Sequence, residues 1–455
     1  MLAVTTSLFT NMIFLKKLLP SLALCIFPVL SIAQPIDLMT AYKRALQHDA
    51  DIHAAYNQLL SSKEASPQAL AGLLPSINAS ALSNDVRQES ESNFSGTGKS
   101  TDQFRDEGFA VSLRQPLFNW ANYTRYKQAN KQVSRAEVEY EIAQQALILR
   151  LTERYLNSLQ AEVALNLAND DVNAFTRQLE QAQARFEVGL IAITDVHNAQ
   201  ARYDLSIATQ IAAQDDLYSA QESLREIIQT DELVLAHLAS SFPLSAPEPN
   251  DINRWEEFAA LQNLSLEVAK YDVNIAKKEI ELQRAGHYPT VDLVASHQYA
   301  ETGGGSFGTG LRNESDSIGV ELNVPLFAGG RTSSLTRQAA FNHQQSLDIL
   351  QSLQRTTLRK TRDAFRGVTA NLKRIHALEQ AIVSNKSSLD ANEVGLEVGT
   401  RTIVDVLDAQ SNLSRAKLEL SIAKKDYILN ILNLKNNAGT LSEADLGIVN
   451  NWLAH

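Results

Sequence analysis

The residues best suited to chemistry stand in a short motif that the chain contains twice. Residues 398–410 read VGTRTIVDVLDAQ, and residues 188–200 read VGLIAITDVHNAQ. The later motif carries two carboxylates, Asp405 and Asp408, whereas the earlier one has Asn198 where the second carboxylate would stand. Carboxylates three residues apart share one face of a helix. Gathered in several copies, they would repel each other, raise one another's pKa and attract cations.

Other arrangements that could support catalysis or ligand binding are weak. The stretch GGGSFG at 303–308 matches G-x-G-x-x-G, but it follows one predicted strand and precedes another. No helix N-terminus would therefore meet a phosphate there. The nine histidines lack metal-ligand spacing, and no nucleophile forms a catalytic constellation. The sequence predicts no enzyme, no metal site and no cofactor.

The composition and the N-terminus indicate an exported protein. Hydrophobic residues make up 44% and the formal net charge is -11, which argues against nucleic acid as a partner because phosphate binding needs a basic face. Two lysines precede an apolar run over 18–30 and a small-x-small cleavage pattern, which predicts a signal peptide over residues 1–33. The only cysteine, Cys25, lies inside it, so no disulfide framework is expected.

The elements that position the motif are themselves duplicated. Three landmarks recur in the same order with offsets of 214, 209 and 210 residues. Such a match predicts two copies of a large module. We expect a first repeat over 34–245 and a second over 246–455, joined by a Pro- and Ser-rich linker near 240–253. The matched residues are Pro75 and Pro289, Pro116 and Pro325, and Gly189 and Gly399.

Each repeat contains two stretches whose apolar residues alternate with polar ones. In the fourth stretch, Ile318, Val320 and Leu322 share one face, and Gly319 and Glu321 the other. Period-two alternation predicts strands with one apolar and one polar face. The strands are expected near 75–88, 105–117, 289–300 and 315–326, and the second strand of each repeat is expected to end at Pro-Leu-Phe.

A very long helix is predicted after each Pro-Leu-Phe. Residues 119–188 contain no proline or glycine, and 331–398 contain only Gly367. Seventy helical residues span about 105 Å, a length that needs a coiled-coil partner. Val406, Leu413 and further apolar residues at seven-residue spacing predict that the chain returns along this helix. No segment after the signal peptide approaches the roughly 18 apolar residues of a membrane helix, so membrane insertion would require a closed β-barrel.

Barrel geometry then predicts an oligomer. Closed transmembrane barrels begin at about eight strands, and one chain offers four. Three chains would supply about twelve strands and leave room for a pore. The predicted fold class is mixed: a transmembrane antiparallel β-barrel, with four strands per chain and twelve in a trimer, joined to a long α-helical coiled-coil tunnel. In a trimer the Asp405 and Asp408 face could meet itself at the axis.

The turns between the long helices carry their own signals. Gly189 and Gly399 stand where C-caps are expected, because glycine adopts a left-handed conformation without a Cβ penalty. Thr194 and Thr402 are candidate N-caps of the returning helices. Each repeat is therefore expected to contain a helix-turn-helix tip, and Asp195 and Asp405 would place negative charge in a first turn.

With these features the sequence resembles the TolC family of outer-membrane efflux and secretion ducts over essentially the whole mature chain. The resemblance rests on the duplicated layout, the two PLF segments, the paired tip motifs and AGTLSEADL at 438–446. It implies a homotrimer in the Gram-negative outer membrane with a periplasmic tunnel. It also implies docking to a periplasmic adaptor and an inner-membrane transporter of the RND, MFS or ABC type. Drug efflux and type I secretion share this architecture, and the sequence does not choose between them.

The resemblance also assigns roles at the tips. Asp405 and Asp408 match residues that line the periplasmic entrance constriction, while Gly189 and Gly399 mark the tip turns that contact the adaptor. Arg401 matches an arginine latch that closes the entrance, and Thr194 and Asp195 match its acceptors. The family's tyrosine for a second latch is replaced by Leu396, whose side chain cannot hydrogen-bond Asp195.

A trimeric coiled-coil surface adhesin or stalk is the alternative. Such proteins usually place one barrel segment at one end of the chain. Here one predicted strand pair lies inside each repeat, and this arrangement favours a duct.

Overall fold

A computed structural model gives the fold of most of the chain. The predicted signal peptide over 1–33 lies outside the described residues, and the motif at 303–308 lies partly outside them. The residues that follow that motif form a strand and not a helix, as expected. The structure describes residues 35–90, 100–231, 233–239, 241–304 and 310–454.

Both halves of the chain contain the same order of elements: short helices, two strands, one very long helix and one returning helix. The first half contains α1 Leu38–His48, α2 Ala50–Lys63, α3 Ala65–Ala71, β1 Ser76–Ser90, β2 Ser100–Phe118, α4 Trp120–Glu187 and α5 Ile193–Ile228. The second half contains α6 Ile252–Gln262, α7 Leu264–Arg284, β3 Thr290–Thr302, β4 Leu311–Asn323, α8 Arg331–Glu397, α9 Ile403–Ala438 and the terminal α10 Glu443–Asn450.

Some helix ends are alike in the two halves. Asp49 lies between α1 and α2 and accepts a hydrogen bond from the first turn of α2 at 2.9 Å. Asn263 lies between α6 and α7 and accepts one from the first turn of α7 at 3.0 Å. The returning helices α5 and α9 each contain 36 residues and end before a left-handed residue, Gln229 and Gly439. Similar local sequence has produced similar helix boundaries in both halves.

The helices α4 and α8 contain 68 and 67 residues, so each is about 100 Å long. Each packs along the helix that follows it. We call α4 with α5 the first helical pair and α8 with α9 the second helical pair. Within the described part of the chain, no helix combines the length and the apolar character needed to cross a membrane.

The seven-residue apolar pattern of α9 is largely buried against the neighbouring elements. The small side chains between its larger members are buried, which allows the helices to approach closely. The buried residues of this pattern are Val406, Ala409, Leu413, Ala416, Ala423, Tyr427 and Leu434.

The four strands form one antiparallel sheet in the order β1-β2-β3-β4. On one face, exposed apolar residues of β4 such as Ile318 and Val320 lie beside apolar residues of β3. On the other face, the guanidinium of Arg114 contacts Asp292 at 2.9 Å and Glu321 at 2.8 Å. The sheet therefore has the apolar and polar faces typical of transmembrane barrels.

The strand ends differ from the prediction at one Pro-Leu-Phe segment. β2 runs through residues 116–118, whereas β4 ends at Asn323, ahead of residues 325–327. Asn323 pairs with Thr290, the first residue of β3. Prolines at positions 289 and 325 flank this pair and lack the N–H needed to extend the ladder.

The segment near 240–253 was expected to be a polar linker, and its described part instead packs on the helices. Phe242 stacks on Trp452 with ring centroids 5.2 Å apart. The Tyr427 hydroxyl donates to the Ser245 carbonyl at 2.8 Å and accepts from its N–H at 3.0 Å. These contacts cover the apolar core around the middle of the helices.

Candidate functional site

The helix ends farthest from the sheet form two exposed tips. The first tip comprises residues 188–192 and the second 398–402. The C-caps are Val188 and Val398, and the predicted glycines stand one position later. Gly189 has φ +75° and Gly399 has φ +78°, and nothing lies within 4 Å of where a Cβ would stand. Glycine is therefore required at both tips for its left-handed backbone and not for lack of space.

The two returning helices begin differently. The Thr402 hydroxyl accepts from the Asp405 N–H at 3.3 Å, and the Asp405 carboxylate accepts from the Thr402 N–H at 2.8 Å. This capping box confirms Thr402 as an N-cap. The prediction for Thr194 is wrong, because α5 begins at Ile193 and its N-cap is Ala192. Thr194 lies inside the first turn with its side chain exposed.

The capping box controls the charge state of Asp405. The Thr402 backbone N–H, followed by the Thr402 hydroxyl and the nearby Arg401, lowers the pKa of this carboxyl below its usual value. Within one protomer the pKa of Asp405 is therefore lowered, whereas repulsion among clustered carboxylates would raise it. Because the pKa is lowered, the cap is present at neutral pH and is lost only as the pH falls through that lowered value. Asp405 is thus a persistent negative charge.

Asp408 lies one turn further along α9 and forms an ion pair with the first helical pair. Its Oδ1 atom is 2.6 Å from Nη2 of Arg202 on α5. Arg202 is not among the residues that the sequence predicts for the site. Aligning the two repeats at the offset of 210 residues does single out Arg202. Arg202 aligns with Asn412, and Asp408 aligns with Asn198. Each repeat therefore carries one half of the pair.

The predicted latch residues are not bonded to one another within one protomer, and Thr194 is not among the residues that line the pocket shared by the other two. Arg401 and Asp195 line one pocket between the tips. Among the described residues, no hydrogen bond or ion pair joins Arg401 to Thr194 or Asp195. Arg401 is an exposed residue of the second tip. Its fork of donors can therefore reach a group outside its own protomer.

The position of Arg401 depends on a glycine that the sequence does not single out. A Cβ on Gly395 would lie 2.5 Å from Cγ of Arg401. The Gly395 carbonyl also accepts from the N–H groups of Thr400 at 2.8 Å and Arg401 at 3.1 Å. The stem of Arg401 therefore folds back over the last turn of α8, in the space that a larger residue would occupy.

Leu396, which replaces the expected tyrosine, joins the two helical pairs by apolar packing. Its side chain is only 8% exposed, and its carbonyl accepts from Nη1 of Arg185 at 3.0 Å. Arg185 is a second contact that the sequence does not predict. The apolar cluster around Leu396 contains Phe175, Leu179, Ala182, Ala199, Leu389, Ile403, Val406, Leu407, Ala409 and Leu413.

The charged groups of the tips determine the local electrostatic potential and form contacts between helices. Within the described ranges, no group of three or more His, Cys, Asp or Glu side chains is arranged to hold a metal ion. The arginines are always charged, and the two carboxylates of the second tip are held by a cap at Asp405 and by an ion pair at Asp408.

Comparison with known proteins identifies the family. The family model described as outer membrane efflux protein matches residues 41–229 and 257–440, one match in each half of the chain. The chain belongs to the outer membrane efflux protein family. Members of this family are channel proteins and not enzymes, and they lie in the outer membrane with a periplasmic tunnel. The resemblance to the TolC family is thereby confirmed, as is the mixed fold class with a four-stranded antiparallel barrel sheet per chain and a long α-helical tunnel.

Full-length relatives within the outer membrane efflux protein family include both efflux and secretion components. The chain is 35% identical over 446 residues to outer membrane protein TolC of Vibrio cholerae, covering 96% of this chain and 98% of that protein. It is 30% identical over 420 residues to the alkaline protease secretion protein AprF of Pseudomonas aeruginosa, covering 91% and 86%.

Solved structures agree on the fold. The outer membrane protein VceC from Vibrio cholerae superposes with a TM-score of 0.73 at 19% identity, covering 88% of this chain and 96% of that one. The CmeC outer membrane channel of Campylobacter jejuni gives a TM-score of 0.76 at 15% identity, covering 89% and 85%.

Proposed function

We propose that this outer membrane efflux protein is one protomer of a homotrimeric export duct. The observation that carries the proposal is the sheet, whose edge strands β1 and β4 have no second partner among the described strands. Edges of 15 and 13 residues with an apolar face are unstable unless they are paired. Pairing β4 of one copy with β1 of the next closes about twelve strands around three copies.

The second tips supply the periplasmic entrance in this proposal. Asp405 and Asp408 of the three copies surround the axis and line the constriction. Arg401 then closes the entrance by binding Thr194 or Asp195 of a neighbouring protomer. Support comes from the exposure of Arg401 and from the pocket that it shares with Asp195. The burial of Leu396 supports closure by apolar packing in place of the family's second latch.

The tips are also the proposed contact with a periplasmic adaptor. Val188 and Val398 are each 69% exposed, and Leu190 is 73% exposed. Exposed apolar side chains beside the turns at Gly189 and Gly399 suit docking to the apolar tips of another helical protein. The adaptor would connect the duct to an inner-membrane transporter of the RND, MFS or ABC type. Relatives named for efflux and for protease secretion support both efflux and protein secretion as routes for cargo, so drug efflux and type I secretion both stay candidates.

We expect the purified protein to be a trimer that resists mild detergent. Barrel closure requires strands from three copies, and the interstrand bonds between copies should survive detergent that replaces lipid. Native mass spectrometry in detergent should show one species of three chains. A stable monomer under the same conditions would contradict the proposed architecture.

Gly395→Ala is expected to increase conductance of the closed channel, in the same direction as Arg401→Ser. The new methyl group would displace the Arg401 stem, whereas alanine favours a helix by about 1 kcal/mol over glycine, so the fold should persist. Bilayer recordings measure the effect. Gly367→Ala is the matched control, because it changes the same helix far from the tip and its new Cβ would meet first the side chain of Asn430. Unchanged conductance in Gly395→Ala and Arg401→Ser would remove Arg401 as a latch.

A further inference from the structure

We propose that Arg202 is the counter-ion of Asp408 and sets how much negative charge the entrance presents. The inference rests on the proposed function, because it assigns a role at the entrance described above. Nη2 of Arg202 is 2.6 Å from Oδ1 of Asp408 and donates a short, charge-assisted hydrogen bond to it. The pair connects α5 to α9, and so it joins the first helical pair to the second.

The Arg202–Asp408 pair affects the net charge of the entrance more than the folding stability of the protein. The Arg202 side chain is 41% exposed and that of Asp408 is 52% exposed. Ion pairs this exposed contribute little to folding because solvent screens them. Other contacts also hold the helical pairs together nearby, such as Gln410, whose amide donates to Asp171 at 2.8 Å. Loss of Arg202 should therefore leave the tips in place and alter their electrostatic potential.

The two entrance carboxylates differ in what neutralises them. Asp405 is held mainly by neutral donors of Thr402, so its hydrogen bonds do not cancel its charge. Asp408 has a full positive charge at hydrogen-bond distance. The next carboxylate beyond Arg202, Asp204, is engaged by the amide of Gln200 at 2.8 Å. Arg202 is therefore directed at Asp408, and it offsets the charge of one of the two entrance carboxylates in each protomer.

The duplication supports a specific role for this arginine. At the 210-residue offset, Arg202 and Asp408 align with Asn412 and Asn198, which are neutral. The repeat that carries the extra carboxylate lacks the arginine, and the other repeat supplies it. Such complementary changes are expected if the carboxylate and its counter-ion form one unit, and not if each is an independent surface charge.

The test is block of the channel by La³⁺ added from the periplasmic side. Arg202→Gln removes the counter-ion and keeps a polar side chain. We expect the half-blocking concentration to fall roughly tenfold, because several unscreened charges act on a trivalent ion within about one Debye length. Arg202→Lys restores the charge and should return block close to that of the native protein. Arg254→Gln is the matched control, since it removes an arginine from an exposed pair with Glu257 far from the tips.

Two outcomes separate this inference from the proposed function. If Arg202→Gln leaves block unchanged while neutralising Asp405 and Asp408 removes it, Arg202 is not the counter-ion. If neutralising both carboxylates also leaves block unchanged, the proposed entrance itself fails. A severalfold change in block that Arg202→Lys reverses supports the inference, because a purely structural role would not follow the charge.

Discussion

Block of the channel by trivalent cations is expected to disappear when Asp405 and Asp408 are both replaced by asparagine. Carboxylates around one axis create a negative potential that concentrates cations at the constriction. Asparagine removes the charge but keeps an oxygen that can accept from Thr402, so the cap survives. A first-turn charge is worth about 0.3–1 kcal/mol to its helix, and the trimer should therefore remain intact.

The experiment is a titration of La³⁺ from each side of a bilayer that contains oriented channels. Native protein should be blocked at low concentration from the periplasmic side, and the double variant should conduct normally. The competing interpretation treats both residues as helix-start charges on a solvated surface. It predicts unchanged block and a small loss of stability, and that result would show that the carboxylates do not face the lumen.

Gly439→Ala is expected to cause a large loss of stability and of assembled trimer. Gly439 has φ +74°, which alone costs a residue with a Cβ about 1–2 kcal/mol. The new Cβ would also lie 2.0 Å from the Gln262 carbonyl oxygen, where α6 meets α7. Backbone cannot move aside as a flexible side chain can. We expect a total cost above about 3 kcal/mol, the level reached when backbone strain combines with steric overlap.

The matched control is Gly399→Ala, because Gly399 has nearly the same φ but no atoms within 4 Å of its Cβ position. Denaturant unfolding of both variants in detergent separates the cost of the left-handed backbone from the cost of steric overlap with the Gln262 carbonyl. Gly439→Ala should lose at least twice as much stability as Gly399→Ala. Equal losses would mean that the α6–α7 junction does not constrain the end of α9.

The elements of the fold were predictable because their signals are local and periodic. The absence of proline and glycine over 119–188 predicts one continuous helix, and α4 fills that range nearly to its ends. Alternation predicts the strands, although proline at position 325 ends β4 earlier than the Pro-Leu-Phe landmark indicates. Strand ends depend on the partner strand as well as on the strand itself.

The error at Thr194 has a clear cause in the repeat. At the offset of 210, Thr402 aligns with Ala192 and not with Thr194. Asp195 and Asp405 are in register, but the first copy has Ala192 at the cap position that Thr402 occupies in the second. Alanine has no side-chain acceptor, and the first tip therefore lacks the capping box of the second.

The contacts between helices were not predictable from the motif alone. Arg202 and Arg185 reach Asp408 and the Leu396 carbonyl across about two hundred residues of sequence. Their partners depend on how the two helical pairs pack against each other. A solvated arginine and a paired arginine look alike in a single sequence. The replacement of tyrosine by Leu396 was visible, but its burial in an apolar cluster was not.

The most direct test of the account is single-channel recording of the purified protein in a planar lipid bilayer. An export duct closed at its periplasmic end should give long-lived, cation-selective conductance steps of uniform size. A coiled-coil adhesin or stalk would bind the bilayer without conducting, because its barrel would not enclose an open path. Uniform steps that disappear on addition of La³⁺ from the periplasmic side are the result that we predict. The absence of conductance from correctly assembled trimers would contradict the proposed duct.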